Sequence, residues 1–98
     1  MDYKIGVQKL EHCASVLKAI AHPLRIAIIE LLEEYDSLYV SEIYEKLEIE
    51  QAVASHHLAI LKNKGVVLSV REGKNMKYEL RHRQITKIIE IMERCSTQ

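Results

Sequence analysis

The side chains with chemistry to offer are five histidines, two cysteines and an uneven set of lysines and arginines. His56 and His57 stand side by side in "IEQAVASHHLAILKNKGVV", residues 49–67, where imidazole could bind a metal, move a proton or simply pack. Helical spacing separates these uses. At about 100° per residue, with Ser55 as origin, Gln51, Ala52, Ser55, His56, Ala59, Lys62 and Asn63 share one arc. Ala54, His57, Leu58, Leu61 and Gly65 lie opposite, and Val53 and Ile60 widen that apolar side. The histidines therefore point apart, and neighbouring positions on a helix do not readily share one ion or act as a catalytic pair. His56 falls on a small polar surface able to read a ligand and His57 on the packed side. The blander alternative is two ordinary half-buried histidines.

Cys13 and Cys95 lack the CxxC spacing of a structural zinc site, and two cysteines make no secreted disulfide framework. Each sits at the edge of an apolar helix face, where it either packs as a small hydrophobe or serves in a thiol switch. No glycine-rich phosphate loop, nucleophile elbow or HExxH motif occurs, so the sequence points to no enzyme and no bound cofactor.

Net charge is zero, yet the halves differ. Residues 1–61 carry five Lys/Arg against ten Asp/Glu and residues 62–98 nine against four, giving −5 and +5. Lys62, Lys64, Arg71, Lys74, Lys77, Arg81 and Arg83 make a local basic stretch opposed only by Glu72 and Glu79. No apolar run reaches the length of about 18 residues that a membrane span needs, and Met1-Asp2-Tyr3-Lys4 leads into an amphipathic segment. A cytosolic location is expected.

The elements that must position these residues follow from periodicity. Val7, Leu10, Ala14, Leu17 and Ala21 share a face of a first helix that ends near His22-Pro23, because proline disfavours helical geometry in the residue before it. Pro23 opens a second helix with Leu24, Ala27, Ile28, Leu31 and Leu32 as its apolar stripe, and "EEYDSL" closes it. A short helix over Ser41–Glu48 follows. Leu47–Glu50 leaves only a tight connection to the quoted helix, Gln51–Lys64, as in a helix-turn-helix whose second helix can enter a DNA major groove. Val66–Val70, a turn at Arg71–Asn75 and Met76–Leu80 form a basic-tipped hairpin able to reach phosphates. The expected fold class is mainly α with a small β-hairpin, a single winged helix-turn-helix domain over residues 1–98 in the order α-α-α-α-β-β-α. Base edges would meet Gln51, Ser55 and His56, with Ala52 beside them on the DNA-binding face. Lys62, Arg71, Lys74, Asn75 and Lys77 would lie along the backbone.

"LKAIAHPLRIAIIELL", "VSEIYEKLEIEQAVASHHLAILKNKGVV" and "REGKNMKYEL", in that order, resemble the ArsR family of bacterial winged-helix repressors over roughly residues 10–95. The most specific parts are Ala21-His22-Pro23-Leu24-Arg25 and Ser55-His56-His57-Leu58. The resemblance implies a homodimer on an imperfect palindrome of double-stranded DNA, with the first and last helices as the interface. The candidate interface residues are Leu10, Leu17, Ile85, Ile88, Ile89 and Met92. The apolar stripe Ile85, Ile88, Ile89 and Met92 agrees independently, since so small a domain must cover it. Two rivals stay open at this level: a winged helix used only for protein contacts, and a repressor switched by Cys13 and Cys95.

The chain departs from the family's pattern in several places. Glu48 stands where a glycine usually ends the third helix, and Glu50 where a serine usually caps the recognition helix. Tyr39-Val40-Ser41 replaces the Cys-Val-Cys of arsenic and cadmium sensors, and His82, Gln84, Cys95 and Gln98 fall where zinc sensors carry their ligands. Two glutamines there are poor ligands, so no metal is expected. The inducer is not legible.

Overall fold

The computed structural model describes residues 6–96, so the readings made on Met1–Lys4 and Gln98 lie outside the described residues. Its elements are α1 (Val7–Ile20), α2 (Pro23–Tyr35), β1 (Ser37–Tyr39), α3 (Val40–Leu47), α4 (Gln51–Asn63), β2 (Val67–Glu72), β3 (Asn75–Leu80), a 3-10 turn η1 (Arg83–Ile85) and α5 (Thr86–Ser96). Among the described residues no helix is long and apolar enough to cross a membrane.

Local chemistry sets the boundaries. Pro23 occupies the first turn of α2, where its missing N–H costs nothing, and the His22 side chain caps that turn by accepting at Nδ1 from the Leu24 amide at 3.1 Å. At the other end, Arg83 donates through Nη2 to the Glu33 carbonyl at 2.8 Å and pairs with Asp36 at 3.1 Å. A late residue thus satisfies a carbonyl that the end of α2 leaves open.

The alternation over residues 66–80 predicts only a hairpin, but the sheet has three antiparallel strands in the order β1-β3-β2. Ser37 and Leu38, expected as the tail of a turn, and Tyr39, expected at the start of the third helix, pair with Glu79, Tyr78 and Lys77. Three residues are too few to show an alternating pattern, and a partner some forty positions away leaves no local trace. The hairpin is also longer and tighter than expected. Glu72 pairs with Asn75, so only Gly73 and Lys74 form the turn, and Gly73 supplies the positive φ (61°) that such a two-residue loop demands. The third helix begins one residue earlier than expected, at Val40, where the Tyr39 amide donates to the Glu42 carboxylate at 2.8 Å.

One core joins these pieces. Ile28, Ile29 and Leu32 of α2, Ile43 of α3 and Leu58 and Leu61 of α4 are fully buried, and Leu38, Val67 and Leu80 seal them from the sheet side. Ile89 also belongs here, at 7% exposure, and half-buried Ile85 packs against the same cluster. Helical spacing predicts both on the stripe facing a partner. Within one protomer they fasten α5 to its own core, so the exposed stripe is narrower than the periodicity suggested.

Glu48 adopts the left-handed conformation (φ 54°, ψ 46°) that closes α3, the geometry for which glycine is the usual choice. Its Cβ is unfavourable there. Glu48→Gly should therefore raise stability by about 0.5–1 kcal/mol in urea denaturation, the relief of Cβ strain outweighing glycine's extra chain entropy.

Candidate nucleic-acid interface

The helix α4 divides as its sequence dictates. Ala54, His57, Leu58 and Leu61 are buried, whereas Gln51, Ala52, Ser55, His56, Ala59, Lys62 and Asn63 are all exposed. The exposed face is small and polar at its N-terminal half, so a groove wall can approach the helix closely. Glu50 begins the helix without a side-chain capping bond, and its carbonyl accepts from the amides of Val53 and Ala54 at 3.1 Å each. The connection from α3 is correspondingly tight, with the Ile49 amide bonded to the Tyr44 carbonyl at 3.0 Å.

A polar cluster ties α4 to α1 and α2. Arg25 donates through Nε to His57 Nδ1 at 3.1 Å and through Nη1 to the Ala19 carbonyl at 2.8 Å. The His22 ring lies 4.4 Å from that of His57, tilted by 42°. The two sequence motifs, residues 21–25 and 55–58, thus meet in space, and Arg25 joins α1, α2 and the recognition helix at one point. The expectation that His56 and His57 point apart is met in burial only. Their ring centroids lie 5.2 Å apart, edge to face, while the buried ring of His57 also accepts from Arg25.

Accepting from Arg25 at Nδ1 requires a neutral His57 carrying its proton on Nε2. Burial holds the pKa of His57 below the usual 6.5, and His22, Arg25 and His56 push it the same way. The folded chain therefore resists protonation while the unfolded chain accepts it. Stability is fully present above about pH 6.5 and falls as the pH drops from there toward the depressed folded value. Denaturation midpoints measured between pH 7.5 and 5.5 should decline less steeply in His57→Gln than in the parent chain. Equal slopes would exclude His57 as the source of the decline.

The wing residues do not form one patch. Side chains of registered partners share a face of a sheet and successive residues alternate. Lys77 accordingly shares a face with Val70 and Tyr39, while Arg71 shares the other with Met76. Lys77 is half-buried with Nζ 5.2 Å from the centre of the Tyr39 ring. Lys74 stands exposed at the apex, and exposed Asn75 follows it. The Tyr39 hydroxyl donates to Glu72 at 2.5 Å, and this bond, then the carboxylate's charge, raises the phenol's pKa. Tyr39 thereby fastens the wing to the start of α3. Sequence reasoning missed that role, which depends on a cross-strand register that no local pattern encodes.

The apolar face opposite the reading head is formed by α1 and α5. Leu10, Leu17, Ile88 and Met92 are exposed on these helices, joined by Val7 and Ile91, and Ile91 had no place in the expected stripe. Cys13 and Cys95 are free and exposed on the same two helices, so neither packs as a buried hydrophobe within the protomer. His82 precedes η1 without a side-chain cap bond. Among the described residues no group of three or more His, Cys, Asp or Glu gathers in a way that could hold a metal ion.

Comparison with known proteins gives this arrangement its place. Residues 22–69, from the capping histidine through the recognition helix into β2, match the model of the bacterial regulatory protein arsR family. Over 92 residues the chain is 32% identical to the transcriptional repressor PagR of Bacillus anthracis, covering 94% of this chain and 92% of that one. The chain belongs to the ArsR family. The match is structural as well. The crystal structure of PagR superposes with a TM-score of 0.79 at 30% identity over 89% of this chain and 99% of its own. HlyU from Vibrio cholerae N16961 gives 0.79 at 29% identity over 95% and 100%. A regulator of the HTH type from Methanocaldococcus jannaschii is 34% identical over 87 residues, 89% of this chain and 98% of that one. The winged helix-turn-helix fold and the regulatory class of the ArsR chain are therefore secure, and its relatives are transcriptional regulators rather than enzymes.

Proposed function

We propose that this ArsR-family chain is a cytoplasmic transcriptional repressor without catalytic activity that binds a palindromic operator as a homodimer. The observation that carries the reading is the division of α4. Its inner face is sealed into the core and clamped by Arg25, and its outer face offers Gln51, Ala52, Ser55 and His56 to a major groove. Lys62 at the end of the helix, and Arg71, Lys74 and Asn75 on the wing, are exposed and supply the phosphate contacts in this reading. Lys77, half-committed to the Tyr39 ring, contributes less. The homodimer follows from the exposed apolar face of α1 and α5, which water would otherwise cover.

Selection of bound sequences from random duplex DNA, followed by titration across salt concentrations, tests this reading. A palindrome with half-sites about one helical turn apart is expected. Lys74→Ala should lower affinity for every sequence alike and flatten the salt dependence by about one unit of slope, with Lys77→Ala doing less. Binding that shows neither sequence preference nor salt dependence would sink the proposal.

A further inference from the structure

We infer that the cleft between α1, the C-terminal end of α4 and the start of η1 is an effector site for a small anion with an apolar body, namely a carboxylate. Its consequence for DNA rests on the regulator reading above, whereas the binding event itself does not. The cleft holds about 410 Å³, within the range of about 300–1,000 Å³ typical of small-molecule sites. His12, Lys64, Arg81 and His82 line it, and no carboxylate does. Val16, Val66 and Ile85 supply an apolar wall between these polar heads.

Charge decides what enters. Neither Lys64 nor Arg81 forms an ion pair among the described residues, unlike Arg83, which pairs with Asp36. Two permanent positive charges beside the two histidines disfavour a divalent cation and favour an anion, and a guanidinium can hold a carboxylate through paired bonds. Both cations spring from fixed backbone. The Lys64 amide is bonded to the Ile60 carbonyl at 3.2 Å and the Arg81 amide to the Val66 carbonyl at 3.0 Å, so the main chain beneath both cations is already fixed and only their side chains must be ordered on binding. A second cavity, about 520 Å³ between α1, α2 and α5, makes the contrast plain. It is lined by apolar side chains and Glu93, and so suits apolar surface rather than an anion.

Position gives the cleft its regulatory meaning. One wall belongs to α1 of the apolar face, another to the residue that ends the recognition helix, and a third to the base of the wing. An anion drawing Lys64 and Arg81 together alters the relation of α4 and the wing to α1, and hence the spacing of two reading heads in a dimer.

The test titrates the full chain with sodium octanoate by calorimetry, using octanol as the neutral probe and inorganic phosphate as the probe without a tail. Octanoate should saturate one site per chain and bind at least about tenfold more tightly than either control, since charge and apolar contact are both required. Lys64→Gln and Arg81→Gln should each weaken octanoate at least about fivefold while leaving the circular dichroism spectrum unchanged, and Arg81→Lys should restore part of the loss. Operator affinity of the parent chain should shift at least about threefold on saturation, the lower range of allosteric coupling. Equal binding of octanol, or unaltered binding by both glutamine variants, overturns the site. Saturable binding with unchanged operator affinity overturns the effector role. A chain that binds octanoate but no DNA under any condition refutes the regulator reading and leaves the site standing on calorimetry alone.

Discussion

Ile88→Glu is expected to give a folded monomer that binds operator DNA about 10²–10⁴-fold more weakly than the parent chain, the factor by which linkage of two binding modules exceeds either alone. Ile88 is 40% exposed in the protomer, so a carboxylate there stays wet in the monomer and is buried only if a second chain docks. Its neighbour is the control. Ile89 is 7% exposed within the core cluster, and Ile89→Glu should unfold the chain rather than separate two folded copies. Sedimentation and circular dichroism distinguish these outcomes, and fluorescence anisotropy with a labelled operator measures the loss. A parent chain that sediments as a monomer at micromolar concentration while binding its operator tightly would falsify the homodimer.

The second large effect is expected at Arg25. Arg25→Ala removes the bond to His57 Nδ1 and the bond to the Ala19 carbonyl, leaving two acceptors unpaired in a half-buried cluster. Hydrogen bonds from charged donors are each worth about 1.5–3 kcal/mol, and the two are not independent, so a loss of about 2–3 kcal/mol in urea denaturation is expected. Operator affinity should fall further than global unfolding explains, because α4 loses its tether to α2 while its apolar side remains packed. Arg25→Lys keeps the charge but cannot span both acceptors with the same planar fork, and should recover less than half of the stability. A change below about 0.5 kcal/mol in Arg25→Ala would mean that packing alone sets the angle of α4.

Most of the fold was legible because its signals are local. The stripe of α2, the proline at its start and the two-faced pattern of α4 each lie within a few turns of chain, and the burial of Ala54, His57, Leu58 and Leu61 matches the projection residue by residue. What escaped depended on distant partners. β1 owes its existence to β3, the opposite facing of Arg71 and Lys77 to a register fixed by the turn at Gly73-Lys74, and the capture of Ile89 by the core to the packing of α5 on α2. The same limit applied to the site. His57 was placed on the inner side from sequence, but Arg25 as its partner was not, since thirty-two positions separate them and arginine is by default a surface residue.

The pairing of residues 37–39 with 77–79 also bears on the order in which this molecule assembles. The helices α3 and α4 touch across a connection of three residues, so the pair can form on the timescale of neighbouring helices finding each other. Closing the sheet must instead gather a segment of about forty residues and bear the loop entropy that goes with it. The helical reader therefore forms early and the strand lacing late. On a ribosome β1 must wait for β3 to emerge, and a nascent chain halted before residue 75 carries a recognition helix with no wing to steady it on DNA.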